Sequence, residues 1–198
     1  ISTTHNSFIY FKVISLYIVK ILYYFVGGFT MSKALLLIDL QNDYFPGGAF
    51  SLWNTEETLN NIENAINKAN AQNIPIIHIQ HVANSELGIA PFFNKGTEGV
   101  NIHPRILELA PNAPIVVKEY ADSFVNTTLE ETLSSMNVTE LLICGMMTQN
   151  CVTHTAISKS AEKYDVSILT DCTTTVDVMI HNIALHAVST RVPLIPSL

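Results

Sequence analysis

Downstream of Met31, short unbroken apolar runs alternate with longer segments in which apolar residues recur every three or four positions. Ala34–Ile38 (ALLLI) is too short for a helix and has no polar face, as expected of a strand buried on both sides. The turn chemistry of Pro46–Gly48 marks a loop. Across Thr55–Asn73, Leu59, Ile62, Ala65, Ile66 and Ala69 keep helical spacing, with Asn54 or Thr55 as the cap and acids in the first turn, at the positive end of the helix dipole. Ile74–Gln80 reads as a second strand. The long loop that follows, from His81 to about Pro111, has the length usually reserved for functional segments. A third strand is expected at Ile115–Val117, then a helix over Asn126–Met136, where Thr127 and Glu130 have capping-box spacing. Leu141–Cys144 is the fourth strand, Thr148–Lys163 a helix, Val166–Leu169 the fifth strand, Val178–Ser189 the last helix and Val192–Ile195 a sixth strand.

Strands that alternate with helices imply a three-layer α/β/α domain over residues 31–198. Its central, mostly parallel six-stranded sheet is Rossmann-like, with helices on both faces. Sites in such sheets gather beyond the carboxyl ends of the strands. Three residues suited to chemistry fall at or just after such ends: Asp39, Lys118 and Cys151.

Composition narrows the function without defining it. The chain of 198 residues suits one domain with a sizeable core. Its net charge is −7 and no basic run follows Met31, so nucleic acid is not an expected partner. Three cysteines, Cys144, Cys151 and Cys172, form neither a disulfide framework nor a zinc ladder and suit a reducing, cytoplasmic compartment. Residues 1–30 stand apart, being apolar from Phe8 to Phe29 but for Lys12 and Lys20 and a few small polar residues. They read as an upstream stretch outside the functional protein, as a membrane segment or as an uncleaved signal. A membrane partner is expected only if they are a real anchor.

Cys151 lies in GMMTQNC, between a buried strand and a helix. A helix start favours the thiolate through its dipole and unpaired N–H groups, although a buried structural cysteine fits the same position. Lys118 follows Ile115–Val117 and either enters a site or snorkels to solvent. Asp39 ends a buried strand, where a carboxylate needs a partner. A cation would serve, and so would the backbone N–H groups of a loop.

Together with their flanks, these residues resemble the isochorismatase-like cysteine hydrolases, which include nicotinamidases and N-carbamoylsarcosine amidases. The resemblance runs from Ala34 to about Val192. It rests on LLLIDLQNDYFPGGAF at 35–50, IIHIQHV at 76–82, GTEGVNIHP at 96–104, VVKEYADSF at 116–124 and CGMMTQNCVTHTA at 144–156. It implies that Asp39, Lys118 and Cys151 are a catalytic triad. It also implies that Met146–Met147 is a cis peptide bond and that the N–H groups of Met147 and Cys151 form an oxyanion hole. Homo-oligomers are common in such a family. Its nicotinamidases carry an Asp-x-His metal motif, which GGAFSLWNTEE lacks, so no metal or other cofactor is expected. His78 reads as a core residue, His81 reaches either the site mouth or solvent, and His103 and Arg105 read as surface.

The expected activity is hydrolysis of a C–N bond in a small amide, ureido or hydrazide-like molecule through a Cys151 thioester. Phe45, Trp53, Phe92 and Tyr120 are candidates to line the substrate pocket, although ordinary packing fits each alone. Two alternatives stay open. One is vinyl ether hydrolysis of an anionic isochorismate-type substrate, for which the loops offer mainly Lys95 and Arg105. The other is a non-catalytic ligand-binding or thiol-sensing module.

Overall fold

The computed structural model describes residues 32–198; the apolar stretch at 1–30 lies outside the described residues. Six strands, β1 (Ser32–Ile38), β2 (Ile76–His81), β3 (Ile115–Lys118), β4 (Val138–Met146), β5 (Asp165–Thr174) and β6 (Leu194–Ile195), form one sheet in the order β3-β2-β1-β4-β5-β6. Every pairing is parallel. The order reverses between β2 and β4 on either side of β1, and the carboxyl end of β1 carries Asp39.

The unbroken apolar run of β1 follows from this central place, with Ala34–Ile38 all buried. Leu35 and Leu37 face a core shared with Leu59, Ile62 and Ile66 of α1 (Thr55–Ala71). Ala34, Leu36 and Ile38 face the opposite core, with Leu129 and Leu133 of α3 (Leu129–Ser135). Alternate side chains of one strand thus meet helices on opposite sides of the sheet.

The long segment after β2 is more ordered than its sequence suggests. It contains helical turns at Ser85–Leu87 and Glu98–Val100 and a short helix, α2 (Pro104–Leu109). Pro104 opens α2, where proline's missing N–H costs nothing. Arg105 ties α2 to α1 through Glu56 and Glu63, at 2.7 and 2.5 Å. His103 is half-buried against Phe45, with ring centroids 4.4 Å apart, rather than free on the surface.

The single helix expected over Thr148–Lys163 is broken into three pieces. They are a π-helical turn at Thr148–Val152, a short α4 (Thr153–Ala156) and a 3-10 turn at Lys159–Lys163. Ser158 ends the helix because its backbone is extended (ψ 145°) and its side chain accepts from the N–H of Ser160. The expected capping box at Thr127 and Glu130 is replaced by a tighter arrangement. Thr127 Oγ1 accepts from the Leu129 N–H and donates to the Ser123 carbonyl. The last helix, α5 (Val178–Val188), is capped by Asp177, which accepts from Ile180 N–H.

Candidate active site

Asp39, Lys118 and Cys151, spread over 113 positions of sequence, meet above the carboxyl ends of β1, β3 and β4. Asp39 sits in the left-handed region (φ 52°). Aspartate tolerates that conformation better than most residues, and here it turns the chain sharply at the end of β1. Its side chain and that of Lys118 are fully buried and 2.8 Å apart. Lys118 Nζ lies 3.2 Å from Cys151 Sγ and 3.1 Å from the carbonyl of Tyr120. The other carboxylate oxygen, Asp39 Oδ1, is buried with no hydrogen-bond partner among the described residues. A buried carboxylate oxygen without a partner is uncommon in a folded core.

Burial works against the Lys118 ammonium, but Asp39 and Cys151 outweigh it and the pKa of Lys118 is raised. Burial, followed by Asp39, pushes the Cys151 thiol above its ordinary range, against the pull of Lys118. Burial and the neighbouring carboxylate thus oppose the thiolate that a helix-start position favours. Cys151 is the fourth residue of the π-turn and is buried in the domain, where desolvation works against the charged form. Burial also raises Cys144 and Cys172, but among the described residues neither has a lysine within hydrogen-bond reach. The Met146–Met147 peptide bond, directly before the π-turn, is cis.

His81 joins the group, with Nδ1 at 3.1 Å from Lys118 Nζ. Its backbone is clamped by Gln41, a fully buried side chain. The Gln41 amide accepts from His81 N–H and donates to the His81 carbonyl, both at 2.8 Å. Gln41 was not among the sequence candidates. Its signal was an amide directly beyond a buried strand, which must find partners. Asp43 plays a similar part for the loops, accepting from Ala49 and Phe93 N–H. His78, by contrast, is a core residue whose Nε2 lies 3.0 Å from the Ala110 carbonyl.

Asp39, His81 and Cys151 have ligand atoms within 4.8 Å of one another, the donor set a metal would seek. The Lys118 ammonium lies within 3.2 Å of all three. A metal ion would have to displace that charge, so these residues fit a lysine-centred site rather than a metal centre.

The aromatic candidates separate. Tyr120 is half-exposed, and its carbonyl touches Lys118. Trp53 is partly exposed and packs 6.1 Å from His181, whose Nδ1 lies 2.9 Å from Thr148 Oγ1 in the turn that carries Cys151. Phe92 packs on Tyr44, Phe50 and Phe93. Phe45 is buried against His103 and serves the core.

Residues 33–195 match the isochorismatase domain family model. The chain belongs to the isochorismatase family. An isochorismatase family protein of Bacillus subtilis is 38% identical over 146 residues, spanning 73% of this chain and 79% of that protein. A secreted isochorismatase effector of Verticillium dahliae is 30% identical over 142 residues, 72% of each chain. A nicotinamidase of Escherichia coli is 27% identical, covering 70% of this chain and 81% of that one. Among solved structures, an isochorismatase family protein of Desulfovibrio vulgaris has the same fold, with a TM-score of 0.76 at 24% identity over 84% of this chain and 95% of that one. This isochorismatase-family protein is a hydrolase with an all-parallel α/β fold, acting on small molecules. Among the described residues, no helix is long and apolar enough to cross a membrane.

Proposed function

We propose that this chain is a metal-independent cysteine hydrolase that cleaves the C–N bond of a small amide, ureido or hydrazide-like substrate. The observation that carries the reading is the buried Asp39–Lys118–Cys151 contact, in which one carboxylate oxygen has no partner among the described residues. Asp39 accepts the Cys151 proton as the sulfur attacks the carbonyl carbon. The oxyanion is held by the N–H groups of Met147 and Cys151. Asp39 then returns the proton to the departing nitrogen, leaving a thioester on Cys151. Water, deprotonated by Asp39, cleaves the thioester, releasing the acid and restoring the thiol. Lys118 keeps the total charge of the buried group tolerable throughout.

The nicotinamidase among the relatives, named for a primary amide, supports a C–N substrate. The vinyl ether reading wants basic residues for an anionic substrate, and Arg105 is already engaged by Glu56 and Glu63 of α1. Trp53 and Tyr120, each partly exposed, are the favoured contacts for the leaving group. The enzyme acts as a homo-oligomer, a reading supported by Val178, Met179 and Ile183, exposed along α5. The free thiols support a cytoplasmic setting, and residues 1–30 are read as lying outside the functional domain.

The test is a screen of small amides, ureido compounds and hydrazides on wild type and Cys151→Ala. Loss of at least about a thousandfold in kcat/KM is expected on removing the nucleophile. Turnover that survives Cys151→Ala would move the assignment to vinyl ether chemistry or another mechanism.

A further inference from the structure

The mechanism above leaves His81 unused, yet its ring touches the lysine at the centre of the site. An ammonium is donor-only, so the ring nitrogen facing Lys118 must accept. His81 Nδ1 therefore carries the lone pair and Nε2 the proton. A second proton could go only onto Nδ1, against Lys118. Burial, reinforced by Lys118, accordingly lowers the His81 pKa. The Gln41 clamp on the His81 backbone and the Phe93 ring, 5.8 Å away, hold the imidazole in place.

Lys118 Nζ has four acceptors within reach and three N–H groups to give. Asp39 Oδ2 is at 2.8 Å, the Tyr120 carbonyl and His81 Nδ1 at 3.1 Å, and Cys151 Sγ at 3.2 Å. The carboxylate is charged and the carbonyl is fixed in the backbone, so each retains one N–H. The third falls between Nδ1 and Sγ. A thiol sulfur is a weak acceptor and an imidazole nitrogen a good one, whereas a thiolate outcompetes both. Among the described residues, the titratable groups facing Cys151 are Asp39 directly after β1, His81 from β2, Lys118 from β3 and Tyr44 from the turn after β1.

We propose that His81 is a positioning residue that holds the third N–H of Lys118 in the resting enzyme and yields it to Cys151 as the thiolate forms. This rests on the reading of Asp39, Lys118 and Cys151 as the reacting group. It carries an unusual consequence: His81 opposes ionisation of the nucleophile. Its loss frees an N–H for sulfur and makes Cys151 more reactive, the reverse of what a purely structural role gives.

The probe is alkylation of Cys151 by iodoacetamide, followed by peptide mass between pH 6.5 and 10. His81→Phe is expected to speed alkylation roughly three- to tenfold at fixed pH, matching a thiol pKa lowered by about half to one unit. His81→Asn, whose amide oxygen takes the place of Nδ1, stays within about twofold of wild type. In a Lys118→Met background, adding His81→Phe changes nothing; a mere gain in access to the thiol would persist there. Circular dichroism verifies folding, and His81→Leu is read in the same way should the phenylalanine variant misfold. Alkylation at or below the wild-type rate in the folded variant overturns the inference, as does a gain that persists without Lys118. If Lys118→Met alone leaves alkylation unchanged, the role given to Lys118 falls first, and the inference with it.

Discussion

The Asp39–Lys118 pair shows how one residue's meaning depends on its partner. Each side chain is fully buried, and each would be costly alone. Lys118→Met therefore leaves a carboxylate uncompensated in the core. The expected loss is about 3–5 kcal/mol of stability at pH 7, measured by urea unfolding. The double variant Asp39→Asn/Lys118→Met, with no charge left, recovers much of that stability while remaining inactive. A double variant no more stable than Lys118→Met at pH 7 would show that packing, not the buried charge, dominates.

Among the elements, β4 and the turn after it position the nucleophile. Gly145, near the end of β4, has φ 121°, and a Cβ there would lie 2.0 Å from the Ile38 carbonyl oxygen of β1. The neighbouring register with β5 shifts between Ile143 and Gly145. The strand end that leads into the Cys151 turn is thus pressed against the strand that ends in Asp39. Gly145→Ala is expected to lower stability by at least about 2 kcal/mol in thermal unfolding, since both the backbone conformation and the contact are lost. Activity should fall further than stability alone explains, because a shift of β4 changes the Asp39–Cys151 separation. An alanine variant with wild-type melting would mean that this strand end is free to relax.

Over the whole molecule, the histidines set a shared response to acid. Burial lowers the pKa of His78, His81, His103 and His181, against a backbone bond to Ala110 in His78 and the nearby acids of His81 and His103. A histidine with a depressed folded pKa adds stability that is complete above its unfolded value, about 6.5, and lost as pH falls towards the folded value. The melting temperature should therefore begin to fall below about pH 6.5, before the carboxylates titrate. His78→Gln, at the most buried of the four, should flatten the first part of that decline. An unchanged melting temperature between pH 7.5 and 5.5 would show that these rings protonate freely in the folded state.

The succession of strands and helices was legible in the sequence because its cause is local. Apolar period and run length report which faces an element buries, as β1 and α1 illustrate. Asp39, Lys118 and Cys151 stood out for a related reason, each being a reactive group at the end of a buried run. Other features depended on contacts the chain makes only when folded. The broken helix after Met147 owes its end to Ser158. Residues 104–109 are helical with Arg105 tied to α1, across more than forty positions. The state of Cys151 was decided in the same way. Its helix-start position argued for a thiolate, but the fold buries the thiol beside Asp39, and desolvation with a like charge pushes the thiol pKa up against the pull of Lys118. The sequence by itself determined which groups are available and which strands carry them. Only the tertiary structure decided that one lysine must divide three N–H groups among four neighbours. Such an allotment depends on distances of about 3 Å between residues far apart in the chain.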